Sequence, residues 1–181
     1  TSFNKALYNG FNAGGSTTTL AYAGGNAAQA VAELSAFKAS GLELQLYTKT
    51  GIGDGTQANN PWLMELPDPI TRLSWDNYLT ISPKDAKDLG IENKLNARMQ
   101  LDGDTVNVTV NGVTLKDVPV FIQPGQAEGS LGLALGYGKK DSGKVAETGI
   151  NAYPLFDGFN TVLGNVKIEK TDNKISINNY S

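Results

Sequence analysis

Asn111–Gly112 stands between two alternating apolar runs, Thr105–Val110 and Val113–Val118, and this pairing constrains the fold more than any other feature. Asn-Gly is the preferred pair for a two-residue type I′ turn, because both positions need positive φ. With that turn, Val110 faces Val113 and Val108 faces Leu115, so apolar bulk collects on one side of the ribbon. A slip of one residue would set Val against Thr or Lys, so turn chemistry and hydrophobic pattern agree. Other short runs read the same way. Leu42, Leu44 and Leu46 alternate with polar neighbours. Trp75–Ile81, Val118–Gln123, Ser130–Leu135, Val162–Glu169 and Lys174–Tyr180 are further predicted strands, and Asp102–Gly103 is a predicted turn joining Leu95–Leu101 to the ribbon. Seven or eight short strands with few helices predict a closed barrel or a sandwich.

Helical signals are few. Asn26 is a predicted N-cap, the following residues to Lys38 are good helix formers, and Gly41 is a natural stop. Ala30, Val31, Leu34 and Phe37 form one stripe at helical spacing. Ser82-Pro83-Lys84-Asp85 supplies a cap, a proline at the first helical position and an acid at the third, with Gly90 closing the turn. Residues 1–25 are rich in Gly, Asn, Ser and Thr and read as a linker or a loosely packed arm. The organisation predicted is an arm plus one helix over 1–41 and a β domain over 42–181. The start at Thr1 with no visible signal peptide reads as a processed product or an excised fragment.

Composition removes whole classes of chemistry. The 181 residues contain no Cys and no His. Thiolate or imidazole ligation of zinc, cysteine-held iron–sulfur clusters and Ser-His or Cys-His nucleophiles are therefore outside this chain's means. The net charge is −3, and only Arg72 and Arg98 supply guanidinium groups, so no basic face for nucleic acid is visible. Lys139–Lys140 sits beside Asp141 and reads as a solvated turn. No apolar run approaches the 20 or so residues that a membrane-spanning helix needs, so no direct membrane insertion is expected.

The segment Asn59–Asn60–Pro61–Trp62–Leu63–Met64–Glu65–Leu66–Pro67–Asp68–Pro69 gathers unusual demands in one place. Its prolines predict a rigid, extended, partly buried loop rather than a helix. Such loops tend to line sites. Asp68, Asp76 and Glu65 offer carboxylates for glycoside-type chemistry, yet closeness in sequence does not place them in one cleft. The series Gly129, Gly132, Gly136, Gly138 lacks the strand-then-helix setting of a phosphate loop. Gln123–Pro124–Gly125–Gln126 reads as a type II turn.

Three blocks, NNPWLMELPDPIT (59–71), WDNYLTISPKDAKDLGI (75–91) and PVFIQPGQAEGSLGLALGYG (119–138), are followed by GINAYPL (149–155). Together they resemble the C-terminal dinucleotide-binding domain of the molybdopterin oxidoreductase family. The likeness is greatest to the molybdopterin-like subunit of alternative complex III, a quinol-oxidising bacterial respiratory complex, and covers roughly residues 42–160. The resemblance implies a mainly β chain: a double-psi β-barrel with a six-stranded core, a few short helices and an N-terminal helix. It implies Asn60, Trp62, Glu65, Asn151 and Tyr153 as the cofactor-facing positions, vestigial in the branch that has lost its cofactor. Asn60 has donors and acceptors suited to a pterin edge, or serves its own loop as an Asx turn. Trp62 would stack on a flat ring, or pack at the core or barrel mouth along with Trp75. Glu65 would accept loop N–H groups.

By the same resemblance no cofactor belongs to this chain alone. Molybdopterin guanine dinucleotide would sit in the full-length protein, and iron–sulfur clusters elsewhere in the parent. Partners would be the parent's other domains and the subunits of a membrane respiratory complex at the periplasmic face of the inner membrane. Two departures stand out. An extra stretch separates Gly90–Ile91 from Asp102–Gly103–Asp104, which predicts an added strand, and the Gly/Thr-rich arm is foreign to the common domain. A free-standing secreted module binding glycans or peptides is the alternative that ignores the resemblance.

Overall fold

The computed structural model describes residues 2–11, 21, 24–36, 38, 40–98, 100–158 and 160–177. The chain divides into two compact units, Thr1–Phe37 and Lys38–Ser181. In the first unit, α1 (Ser2–Asn9) and α2 (Ala27–Ala36) bury none of their residues. The α1 helix occupies part of the stretch read as a linker. That stretch holds no Gly or Pro until Gly10, whose φ of +74° ends the helix. Asn26 accepts from Gln29 N at 3.1 Å, the capping contact its position predicts. Val31 and Leu34 of the predicted stripe are exposed, and Phe37 lies outside the described residues.

The second unit is a closed six-stranded mixed β-barrel. Its strands are β1 (Leu42–Tyr47), β2 (Leu79–Ile81), β4 (Leu101–Val110), β5 (Val113–Ile122), β6 (Ser130–Ala134) and β7 (Val162–Ile177), with a short β3 (Asn93–Leu95) beside β4. The order β4-β5-β2-β6-β1-β7 is closed by pairing of β7 with β4. Two pairs are parallel, β1 with β6 and β2 with β5. The other four contacts of the ring are antiparallel. Closure leaves no barrel edge to pair with another chain.

Local chemistry explains most of these elements. The β4–β5 hairpin has the predicted register, Val110 opposite Val113 and Val108 opposite Leu115, and both turn residues have positive φ. Leu44 and Leu46 enter the core while Glu43 and Gln45 face outward. The core cluster also takes Leu79 and Ile81, Val106 and Val108, Leu131 and Leu133 from the strands around the ring. The Ser82 cap forms with α4 (Pro83–Asp88): Asp85 N donates to Ser82 Oγ at 3.1 Å, and that hydroxyl donates to Asp85 Oδ2 at 2.6 Å. The Gln123–Gln126 turn also forms, closed by Gln126 N donating to Gln123 O with Gly125 at φ +84°.

Four expectations are corrected. Asp102–Gly103 lies inside β4 rather than at a turn; before β4, Asn96 Oδ1 accepts from Arg98 N and Gln100 N. β5 runs unbroken to Ile122, accommodating a bulge where Asp117 (φ +53°) donates its N–H to Asn107 Oδ1. One strand, β7, replaces the two predicted after residue 162, and residues 178–180 lie outside the described residues. Finally, β2 starts only at Leu79. Trp75 has φ +70° and Asn77 is fully buried with its side chain spent on backbone groups, so residues 75–78 are not strand.

Candidate functional site

Strand directions put several loops at one pole of the barrel. β1 and β6 are parallel and end there, while β2 runs antiparallel to β6 and β7 antiparallel to β1, so both begin there. The connections 48–78 and 135–161 therefore both leave this pole, and the β4–β5 turn reaches it too. A second apolar cluster, Ile52, Ala58, Met64, Ala134, Tyr137 and Ala146, joins the two connections beneath their surface. Gly55 and Gly136 cross so closely that a Cβ on either would strike the other's backbone, and both have positive φ. Only glycine allows that approach.

The proline-bounded segment contains a one-turn helix, α3 (Pro61–Glu65), where the proline spacing predicts extended chain. Pro61 stands at the first helical position, where its missing N–H has no intrahelical partner to lose, and Pro67 follows the C-cap. Asn60 caps the turn, its Oδ1 accepting from Trp62 N at 3.1 Å, so it acts as the Asx-type residue of the alternative reading. Met64 is buried, but Trp62 is 82% exposed. The packing role read for Trp62 is therefore wrong: on a single turn with Met64 facing inward, Trp62 points away from the cluster. Trp75 does pack against that cluster. Glu65 is exposed, and its side chain makes no hydrogen bond among the described residues.

Asn151 is exposed, and its Oδ1 accepts from Tyr153 N at 3.1 Å. Tyr153 opens a 3₁₀ turn (Tyr153–Leu155), packs edge-on against Phe156 and donates its hydroxyl to Asp54 O at 2.6 Å. Its pKa is raised by burial first and by the Asp54 charge second. The hydrogen bond to Asp54 links the turn after β6 to the loop after β1, so the Asn60–Glu65 and Asn151–Tyr153 segments belong to the same pole. Asn60, Trp62, Glu65 and Asn151 are all exposed.

The more unusual chemistry lies beside them and was not read from the sequence. Lys49 is only 6% exposed. Its Nζ sits 3.9 Å from the centroid of the Tyr78 ring and 5.4 Å from that of Tyr137, and donates to Asp76 O at 3.3 Å. Burial draws its pKa down to about 8, against the opposing pull of Asp68 and Asp76. Burial also raises Asp76, with Lys49 acting the other way. Tyr47 is pushed up to about 12 by burial and then by Asp68, and Tyr78 and Tyr137 are raised chiefly by burial. Tyr78 OH shares a short hydrogen bond with Thr71 Oγ1, which donates in turn to Asp68 Oδ1.

This group underlies a cleft of about 220 Å³ lined by Tyr47, Asp68, Ile70, Thr71, Thr80 and Gln123. One wall is the outward face of β1, β6 and β2. There Gly132 leaves room for the Tyr47 ring and the Thr80 hydroxyl, which a Cβ would meet at 3.2 and 2.6 Å. The other wall is the segment before β2. A lone Lys after a strand carries no pattern that separates it from a surface lysine; only the cover of residues 66–78 makes it special. Among the described residues no group of three His, Cys, Asp or Glu side chains could hold a metal ion, and no helix is long and apolar enough to cross a membrane. No family model matches this chain, and no curated protein matches it.

Proposed function

We propose that this chain is the barrel domain of a molybdopterin oxidoreductase-like subunit in a quinol-oxidising respiratory complex, and that its barrel is of the double-psi type. The reading rests on one observation about connections. β1 and β2 flank β6, while β5 and β6 flank β2, so the β1–β2 and β5–β6 links interlock about a pseudo-twofold relation. Crossed links of this kind are what the double-psi arrangement requires. The domain is structural and does no chemistry alone. It packs against the rest of the parent polypeptide and helps dock partner subunits at the periplasmic side of the membrane.

A second reading, a lid over a bound pterin dinucleotide, is favoured by the exposure of Trp62 and by the Asn60 amide nitrogen. Neither is spent on an intramolecular hydrogen bond among the described residues, so both fit contact with a flat, polar-edged ring. In that case Asn60 and Asn151 would orient the ring edge and Trp62 would cover its face. The group would supply the redox chemistry. Metal and nucleotide analysis of the full-length protein tests the two readings. Molybdenum or tungsten at one equivalent with guanine dinucleotide supports the lid. A metal-free protein that co-purifies with quinol-oxidising membrane subunits supports the structural role. A full-length product that is secreted as this domain alone would refute both.

A further inference from the structure

Residues 66–78 lie across the outer face of the barrel and explain why β2 and β6 are buried on both sides. Leu73 and Tyr78 anchor this segment in a small cluster with Phe121 and Ile177, and the Tyr78 and Phe121 rings are 5.6 Å apart. Its ends are tied by Trp75 N donating to Met64 O at 2.8 Å, and its turn by Asp68 N to Leu73 O and Arg72 N to Asp68 O.

The same segment concentrates unfavourable features. Arg72 and Trp75 have φ of +60° and +70°, a region that costs non-glycine residues energy and an aromatic residue especially. Ser74 is 4% exposed, and its Oγ has no hydrogen-bond partner among the described residues. Beneath it the Lys49 ammonium has, among the described residues, a single hydrogen bond for its three N–H groups. Its remaining surroundings are the faces of Tyr78 and Tyr137. Strain, an orphan hydroxyl and an under-hydrated cation thus coincide in one cover.

We propose that residues 66–76 are a strap that opens as a unit from the barrel face, hinged at the Asn77 side chain whose bonds to Ala134 and Ile150 stay closed, and driven by rehydration of the Lys49 ammonium and relief of the strained backbone. Opening widens the cleft and exposes Tyr47, Thr80 and the outward face of β6. The charged and titratable groups facing Lys49 are Asp68 and Asp76 from the strap, Tyr78 just after its hinge, Tyr47 on β1 and Tyr137 after β6. Burial draws Lys49 down to about 8. The closed strap tolerates the neutral amine and the open strap favours the cation, so opening is strongest below pH 8 and declines as pH rises.

The absence of cysteine makes a direct test simple. In the full-length chain, Ser74→Cys places one thiol under the strap, and its labelling by a small disulfide reagent is compared with that of a free thiol at each pH. The expected normalised rate is insensitive to low urea and falls about fiftyfold from pH 7 to 10; in Ser74→Cys with Lys49→Met the profile is flat. A flat profile in the Ser74→Cys chain itself overturns the proposal. So does labelling that tracks global unfolding across the urea series. Equal slopes with and without Lys49 also overturn it.

Discussion

Replacing Asn77 by alanine removes a side chain that closes three buried or half-buried hydrogen bonds at once. Its Nδ2 donates to Ala134 O at 2.8 Å and to Ile150 O at 2.9 Å, and its Oδ1 accepts from Ile150 N at 2.8 Å. The residue is fully buried, so solvent does not readily replace these contacts. Each backbone group left unpaired costs about 1–3 kcal/mol. Ile150 is only half-buried and regains part of its hydration, which sets the expected loss near 4 kcal/mol. With a urea m-value of about 2 kcal/mol/M, the midpoint should fall by roughly 2 M. Urea titration followed by tryptophan fluorescence measures this. Asn60→Ala, which removes an exposed cap, is the reference and should cost about 1 kcal/mol. If Asn77→Ala costs no more than Asn60→Ala, Asn77 does not stitch the β6 end to the Gly149–Ile150 turn, and the account of the pole fails.

Three further outcomes are expected. Lys49 has a folded pKa of about 8, below its ordinary 10.5, so its burial penalty is full below pH 8 and fades as pH rises toward 10.5. Wild-type stability should therefore gain about 3 kcal/mol relative to Lys49→Met between pH 7 and 10.5, measured by denaturation across that range. Asp104 would be raised by burial, but the Lys170 ion pair at 2.6 Å, the Glu92 N–H and the Lys174 charge hold it below its usual value. Its stabilisation is present above about pH 4 and lost as pH falls further, so Asp104→Asn should cost about 2 kcal/mol at pH 7 and flatten the acid limb of the stability curve. Trp62→Ala should change the isolated chain's stability by less than about 0.5 kcal/mol, since Trp62 is 82% exposed. In the full-length protein it should weaken domain packing or pterin retention, read by limited proteolysis and nucleotide content.

What was legible in the chain was local. The Asn111–Gly112 turn, the Ser82 cap and the Gln123–Gln126 turn depend on neighbours within four residues, and each forms as its residue types dictate. The alternation of Leu42–Tyr47 likewise identifies the inward face without knowledge of the partner strand. The single helical turn at Pro61 was hidden because a proline that forbids a helix interior is welcome at its first position. The reach of β7 was hidden because its partly exposed, charged stretch pairs with β4, a neighbour some 65 residues earlier.

Residue types and their spacing by themselves determined a turn-rich, mainly β chain without thiol or imidazole chemistry. They also set the register of its central hairpin, because those properties arise from backbone preference and side-chain inventory over short range. Ring closure, the shared pole of Asn60 and Asn151, the stitching by Asn77 and the burial of Lys49 were decided only in three dimensions. Each depends on which distant segments exclude water from a given atom, and no short window of sequence carries that information.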